Sequence, residues 1–311
     1  NSNPYCFHML YFLSLIYHFY LTDETDCFYF FSFYHTFLID QRKEIEHMKT
    51  IGIGIQDFAK IADKNMFYID KTAFLKEWWE NQDSVTLITR PRRFGKTLLM
   101  SMTDYFFSVN HSDCKKYFEG LDIWKEEKFR ELQGTYPVIF MSFADIKGST
   151  YEKTRMGIIH KITKLYTDFE FLKRTGVLSG RDLEFYDSVS VDMGDDVAGI
   201  AIQYMCDYLR RYYGKNALVL LDEYDTPLQE AYVNDYWKEL ADFIRSLFNS
   251  TFKTNPYLER GLLTGITRVS KESIFSDLNN YKHTKIHSQE LRRRGKRRQK
   301  LNVAHKSEKI I

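Results

Sequence analysis

The sequence predicts an α/β fold in which helices cover a mostly parallel sheet. Two short apolar runs, residues 84–89 and 217–221, predict buried strands, and the second has no polar alternation, as is typical of a strand buried on both faces of such a sheet. Segments with helical spacing lie between these runs and after them. An alternation of strands and helices favours parallel pairing through right-handed crossovers.

The predicted elements follow one another along residues 55–267. Short helices are expected at 55–62 and 71–80, before the first strand. Residues 150–172 have apolar spacing near 3.6 and predict a long amphipathic helix. Another helix is expected to begin with a cap at Asp195 or Asp196 and to end at Gly214. The remaining predicted helices are 97–107 and 228–252, and the remaining predicted strands are 136–143 and 260–267.

A phosphate-binding loop is predicted between the first strand and the next helix. Residues 90–97 read Arg-Pro-Arg-Arg-Phe-Gly-Lys-Thr, and N–H groups at a helix start have no intrahelical partners and bind anions. Lys96 would reach the β- and γ-phosphates of a nucleotide, and the Thr97 hydroxyl would take one Mg²⁺ position. Arg90 stands where the usual pattern has Gly. Taken alone, the match fits an ordinary helix start that carries a lysine equally well.

Asp222 and Glu223 supply the second half of the predicted site. They follow residues 217–221 at the carboxyl end of that strand, where open α/β sheets bind their ligands. Asp222 would hold Mg²⁺, which prefers few carboxylates and keeps several waters, and Glu223 would activate the attacking water. The alternative is a buried strand that ends in solvated acids. The loop about 125 residues upstream favours the metal site.

These two motifs resemble those of the bacterial AAA-ATPase-like family. Its Walker A loop also begins Arg-Pro-Arg-Arg-Phe instead of with Gly, and residues 221–228, Leu-Asp-Glu-Tyr-Asp-Thr-Pro-Leu, are similar to its Walker B segment. Residues 54–74, 261–268 and 273–280 resemble further segments of the family, so the resemblance covers about residues 48–281. It implies a three-layer P-loop NTPase fold of the ASCE type, with the two motif strands separated by the fourth strand.

The predicted activity is Mg²⁺-dependent binding and hydrolysis of ATP, in which positioning and electrostatics do most of the work. ATP rather than GTP is implied by the resemblance alone. The predicted catalytic residues are Glu223, Lys96 and Arg268. The residues predicted to bind the nucleotide are Arg92, Arg93, Phe94, Gly95, Lys96, Thr97 and Leu98. The predicted metal ligands are Thr97 and Asp222.

Alternatives stay open for the residues that follow the fourth strand. Thr267 would either sense the γ-phosphate or be a strand-end threonine that the backbone satisfies. Arg268 would either stabilise charge on the γ-phosphate or pair with Asp225 or Glu259. Action of Arg268 across a subunit interface would require a homo-oligomer. Asp225 itself is expected to be structural rather than a metal ligand.

The chain changes character outside residues 48–281. Residues 1–47 contain no Gly, Ala or Val, and we interpret them as non-native upstream sequence before Met48 or as a disordered aromatic-rich extension. Residues 282–311 have a net charge of +9, and we expect a disordered tail after a frame change or premature end. Nucleic acid binding through that charge is the alternative. The family normally continues into a lid and a PD-(D/E)xK nuclease-like domain, so the P-loop domain is expected to be incomplete at its C-terminus, without a fifth strand after Tyr281.

Composition adds little to the functional prediction. The formal charge of +2 leaves −3 for residues 48–281, so the pI does not indicate nucleic acid binding by the predicted domain. No membrane segment is predicted, and four cysteines without metal-ligand spacing indicate free thiols in a reducing cytoplasm. Three alternatives to an ATPase remain: a nucleotide-binding switch module with little turnover, a nucleic-acid-associated protein, and an inactive gene fragment.

Overall fold

Parallel strands form the centre of the fold. The computed structural model describes Thr50, Gly52, residues 54–266 and the backbone of Tyr281–His283. Its strands are β1 (Val85–Thr89), β2 (Val138–Ser142), β3 (Ala217–Asp222), β4 (Leu258–Gly265) and β5 (Tyr281–His283). They pair in the order β2-β3-β4-β1-β5, and every pair is parallel. β4 therefore separates β1 from β3, as the resemblance implied.

Helices cover both faces of this sheet. The helices of the described chain are α1 (Phe58–Asp63), α2 (Ala73–Glu80), α3 (Lys96–Phe107), α4 (Glu127–Leu132), α5 (Tyr151–Asp168), α6 (Gly180–Ser188), α7 (Asp195–Tyr213), α8 (Thr226–Val233) and α9 (Trp237–Phe248). Short 3-10 turns lie at Val109–His111, Cys114–Tyr117, Asp122–Lys125 and Glu170–Arg174, and a π-helical turn lies at Asn249–Lys253.

The side chains of β3 alternate between two hydrophobic cores. Ala217, Val219 and Leu221 pack with residues of α5, α7 and α9, whereas Leu218 and Leu220 pack with residues of α1, α2 and α3. A strand that is apolar on both faces is expected at the centre of a three-layer α/β sandwich. The predicted fold class, an α/β P-loop NTPase-like sheet with flanking helices, is confirmed.

Of the described residues, Gly52–Lys64 and those from Tyr68 onward belong to one compact unit, and Thr50 with Asn65–Phe67 belong to another. All elements named above lie in the first unit. The interpretation of residues 1–47 lies outside the described residues. So does that of the tail over residues 282–311, except that residues 282 and 283 belong to β5 instead of a disordered tail. Within the described part, no helix has both the length and the apolar character needed to cross a membrane. The two described cysteines, Cys114 and Cys206, are free thiols.

Several element predictions were wrong in detail. The helix predicted over residues 228–252 is interrupted after Val233, because Asp235 adopts φ 60°, a left-handed conformation that a helix cannot continue through. The long helix α5 ends at Asp168, and a 3-10 turn replaces its predicted last turn. β4 runs over Leu258–Gly265 instead of residues 260–267.

Two further corrections concern a cap and a strand. Gly194 is the N-cap of α7, with no side-chain cap, so Asp195 and Asp196 lie in the first turn instead of capping it. Gly214 ends α7 in a left-handed conformation, as predicted. A fifth strand is present where none was expected: Tyr281–His283 pairs with Val85–Leu87. The prediction missed it because this pairing uses backbone groups and needs no apolar side-chain pattern.

Candidate functional site

The loop between β1 and α3 leads from the sheet directly into the first turn of the helix. The Arg90 N–H donates to the Gly265 carbonyl at 3.1 Å, which extends the β1–β4 pairing into the start of the loop. Gly95 is the N-cap of α3 and has φ 75°. No side chain caps this helix, so its first-turn N–H groups are left for solvent or a ligand.

Arg90 does not need the conformational freedom of the glycine that the usual pattern has at its position. Among the described residues, the loop makes its left-handed turns at Arg93, with φ 67°, and at Gly95, whereas Arg90 has an ordinary negative φ. Left-handed backbone favours glycine because a Cβ is crowded there. The left-handed turn for which the usual pattern has glycine is thus made at Arg93, three residues after Arg90.

Lys96 lies over the loop with its side chain almost completely buried, at 6% exposure. Its Nζ donates to the carbonyl oxygens of Arg90, at 3.0 Å, and Pro91, at 3.2 Å. No carboxylate of the described residues forms an ion pair with it. The ammonium is therefore held only by neutral oxygens, and an anion in front of the loop would be a stronger partner.

A buried carboxylate joins the loop to the centre of the sheet. Asp222 is fully buried at the end of β3. Its Oδ2 accepts a hydrogen bond from the Thr97 hydroxyl at 2.9 Å, and its Oδ1 accepts a short one from the Thr264 hydroxyl. Asp222 thereby connects the first turn of α3, the end of β3 and the end of β4. The structure brings together the two residues that the sequence predicted as metal ligands.

Thr264 is a member of this cluster that sequence reasoning missed. Thr267 was predicted to end the fourth strand, either as a sensor of the γ-phosphate or as a threonine satisfied by the backbone. β4 ends at Gly265 instead, and both Thr267 and Arg268 lie outside the described residues. Thr264 is fully buried, and its partner in the β1–β4 register is Ile88 of β1. A threonine in the otherwise apolar run of residues 262–264, on the strand between the two motif strands, is the signal that could have found it.

Glu223 follows Asp222 in a strained turn. Its φ is 51°, which is uncommon for a residue with a side chain and is seen at functional sites. The Glu223 N–H donates to the Thr264 hydroxyl at 3.3 Å, and its Oε2 accepts from the Thr226 hydroxyl at 3.2 Å. The Glu223 side chain is half-buried. Its carboxylate is therefore held beside Asp222 while it stays within reach of solvent.

The other predicted site residues fall into two groups. Arg92, Arg93 and Phe94 are exposed at the outer side of the loop, whereas Leu98 in the first turn of α3 is half-buried. Asp225 is fully buried, and its Oδ2 accepts from the Ile266 N–H at 2.9 Å and from Gln229 Nε2 at 2.8 Å. This agrees with the structural role expected for Asp225.

Comparison with known proteins identifies the family. Residues 52–275 match the sequence model of the AAA-ATPase-like family, which is described as predicted AAA-ATPase. This chain belongs to that family. An uncharacterised protein from the vnfD 5′ region of Azotobacter chroococcum mcd 1 is 26% identical over 243 residues, or 75% of this chain. The chain spans only 40% of the length of that relative. No solved structure matches significantly.

The oxygen donors of this AAA-ATPase-like domain suit a hard cation. Thr97 and Asp222 offer a hydroxyl and a carboxylate oxygen, which are ligand types that Mg²⁺ prefers. In the described part of the chain, no three His, Cys, Asp or Glu side chains cluster as a metal cage would require. A Mg²⁺ ion bound through one or two protein oxygens, phosphate oxygens and waters needs no such cage. The donor set therefore fits Mg²⁺ carried by a phosphate ligand.

A cavity of about 590 Å³ adjoins the Thr97 side of this AAA-ATPase-like site. Thr97 and Ser101 of α3 line it, together with Asp104, Tyr105 and His111. The rings of Tyr105 and His111 stack with centroids 4.1 Å apart, and His111 Nε2 lies 3.3 Å from Asp104 Oδ2. Small-molecule sites commonly have volumes of roughly 300–1,000 Å³. Thr97 thus borders a space large enough for a small organic group.

Proposed function

We propose that this chain binds ATP with Mg²⁺ and hydrolyses it. The observation that carries the proposal is the 2.9 Å hydrogen bond between Thr97 and Asp222, which joins the end of the loop to the end of β3 across 125 residues of sequence. Lys96 directly precedes Thr97 in the chain. Membership in the predicted AAA-ATPase family supports a nucleotide as the ligand.

The loop would hold the phosphates. Lys96 would exchange its bonds to the neutral Arg90 and Pro91 carbonyls for bonds to phosphate oxygens, in which both the donor and the acceptor are charged. The backbone N–H groups of residues 92–98 would add donors, and the positive end of the α3 dipole favours an anion at this place. The exposed side chains of Arg92 and Arg93 would raise the local positive potential.

Thr97 and Asp222 would hold Mg²⁺ as it arrives with the nucleotide. When bound, the ion supplies positive charge that neutralises the phosphates and orients them for attack. The protein's own contribution is to hold the Asp222 carboxylate beside the Thr97 hydroxyl. The Thr264 hydroxyl contributes to this by donating to the other carboxylate oxygen.

Glu223 would take a proton from the attacking water. The left-handed turn, the bond from its N–H to Thr264 and the contact of its carboxylate with Thr226 fix its position one residue after Asp222. Since its side chain is half-buried, water can approach the free carboxylate oxygen. Arg268 stays a proposed contributor to charge stabilisation.

Replacement of Glu223 by Gln tests the assignment of the base. We expect Glu223→Gln to keep MgATP affinity and to lower turnover by about 10²–10⁴, because a general base is lost while phosphate contacts remain. Glu230→Gln is the matched control. Glu230 lies on α8, after the turn that holds Glu223, and its replacement should leave both the MgATP affinity and the turnover unchanged. Affinity is measured by calorimetry and turnover by phosphate release, on the full chain.

Each other result assigns the site differently. Normal turnover in Glu223→Gln would show that another residue is the base. MgATP binding without turnover in the unmutated chain would favour the nucleotide-binding switch module. Absence of MgATP binding from the folded, unmutated chain would overturn the proposed function.

A further inference from the structure

We propose that Lys71 is a second phosphate-contacting cation of the loop, supplied by the segment that precedes β1. This inference rests on the proposed function and deepens it. A Cβ built on Gly95 would lie 3.0 Å from Lys71 Nζ. Since Gly95 is the N-cap of α3 and directly precedes Lys96, the Lys71 ammonium lies against the loop where the phosphates are expected.

The neighbours of Lys71 fix its backbone. Asp70 Oδ1 accepts from the N–H and the hydroxyl of Thr72 at 2.8 and 2.7 Å, and Asp70 Oδ2 accepts from the Asp122 N–H at 2.7 Å. The buried Thr72 hydroxyl in turn accepts from the Ile123 N–H at 3.1 Å. Asp70 and Thr72 thereby attach this segment to a neighbouring turn. Lys71 stands between two anchored residues, and its own ammonium reaches the loop.

The Lys71 ammonium lacks the acidic partner that a half-buried lysine usually has. Among the described residues no carboxylate forms an ion pair with Lys71, whereas Lys76 on the next helix pairs with Glu126 at 2.6 Å. Burial lowers the pKa of Lys71 below its ordinary value, because the charged form has lost part of its hydration. An anion beside the loop would compensate that loss. The polyphosphate group of the nucleotide is the anion that the proposed function brings there.

The two lysines would act on the same ligand from different elements. Lys96 approaches from the helix that follows the loop, and Lys71 approaches from the chain that precedes β1. Both are compact point charges with rotatable donors, so they recognise phosphate charge without selecting the base. Lys71 therefore contributes to affinity for the triphosphate group and does not discriminate ATP from GTP.

A set of lysine variants of the full chain tests this contact. We expect Lys71→Met to weaken MgATP binding by about tenfold to a hundredfold, the loss expected for one charge-assisted hydrogen bond. Lys71→Arg should restore most of the affinity, because it returns the charge. Lys76→Met, which removes a lysine that already has an acidic partner, should bind MgATP like the unmutated chain. Unchanged affinity in a folded Lys71→Met variant would overturn the inference.

A labelling experiment on the unmutated chain is a second test of the Lys71 contact. The chain is treated with an amine-reactive reagent with and without MgATP, and each lysine is quantified by peptide mass spectrometry. We expect MgATP to protect Lys71 at least several-fold and to leave Lys125, whose side chain is 71% exposed, unaffected. MgATP binding without protection of Lys71 would overturn this inference alone. Absence of MgATP binding would overturn the proposed function and this inference together.

Discussion

Two buried cations lie near opposite ends of the parallel strands, and their surroundings differ. Lys96, 6% exposed, stands beyond the carboxyl end of β1 and, among the described residues, bonds only to carbonyls of its own loop. Arg260, 8% exposed, lies near the amino end of β4. Its guanidinium is 4.5 Å from the centre of the Trp79 ring, and its Nη1 donates to the Trp78 carbonyl at 2.9 Å. The contacts of Arg260 come from another element of the fold, whereas those of Lys96 are local.

Left-handed backbone does not distinguish the two places. It occurs at Arg93 and Glu223 on the carboxyl side of the sheet and at Gln82, before β1, on the amino side. What differs is the contacts: Arg260 contacts Trp78 and Trp79 of α2, whereas Lys96 bonds to the loop that precedes it. We propose on this basis that the amino end of β4 stabilises the fold, whereas the carboxyl edge receives the ligand. In open α/β sheets ligands bind beyond the carboxyl ends of the strands.

The largest expected effect on stability comes from Arg260. We expect Arg260→Ala to lower the free energy of unfolding by about 2–4 kcal/mol, because it removes a cation–π contact and a charged hydrogen bond and leaves the Trp78 carbonyl without its partner. Urea unfolding of the ligand-free chain measures this loss. The affinity of the folded fraction for MgATP should be unchanged.

The contrast between Arg260 and Lys96 would fail if Arg260→Ala changed MgATP affinity instead of stability. A folded Arg260→Ala variant with unchanged stability and impaired MgATP binding would place Arg260 in the ligand site. The stabilising role assigned to the amino end of β4 would then be wrong.

A smaller effect is expected at Thr264, where stability and activity should change together. Thr264→Val has nearly the same shape but removes the hydroxyl that donates to Asp222 and accepts from the Glu223 N–H. We expect a loss of about 1–3 kcal/mol of unfolding free energy, since buried polar groups lose a partner. Turnover should fall while MgATP affinity changes less. Urea unfolding and phosphate release measure the two effects.

Thr251→Val is the matched control for this variant. Thr251 is also buried, and its hydroxyl donates to the Leu247 carbonyl, away from the loop. That variant should lose stability without a change in turnover. Equal turnover in both variants would show that the Thr264 hydroxyl does not position the acidic residues.

Much of the site could be predicted because its signals are local in sequence. A buried parallel strand is a continuous apolar run, and the residues that follow it at the carboxyl end are read directly from the chain. Lys96, Thr97, Asp222 and Glu223 were predicted in this way. Thr264 is a polar residue in an apolar run, but its significance depends on the strand order. The contact of Lys71 with Gly95 is tertiary, and no sequence spacing reports it.

Tertiary contacts also explain the errors in the fold. The predicted helix over residues 228–252 breaks before Tyr236, and the Tyr236 hydroxyl then reaches the Thr154 hydroxyl at 2.7 Å and the Gly148 carbonyl at 2.5 Å. Helical periodicity cannot predict that these buried groups need a partner. By contrast, α6 was missed although Ser179 and Asp182 form a capping box with a readable sequence pattern.

MgATP binding by the unmutated chain and by Lys96→Ala tests the central claim most directly. At a ligand concentration 100 times the Kd, the account predicts that MgATP stabilises the unmutated chain by about 2.7 kcal/mol. It predicts no such stabilisation of Lys96→Ala by MgATP, measured relative to that variant's own ligand-free stability, which is expected to fall because the Arg90 and Pro91 carbonyls lose their bonds to Lys96. Equal stabilisation of both proteins by MgATP would contradict the claim that this loop holds the phosphates.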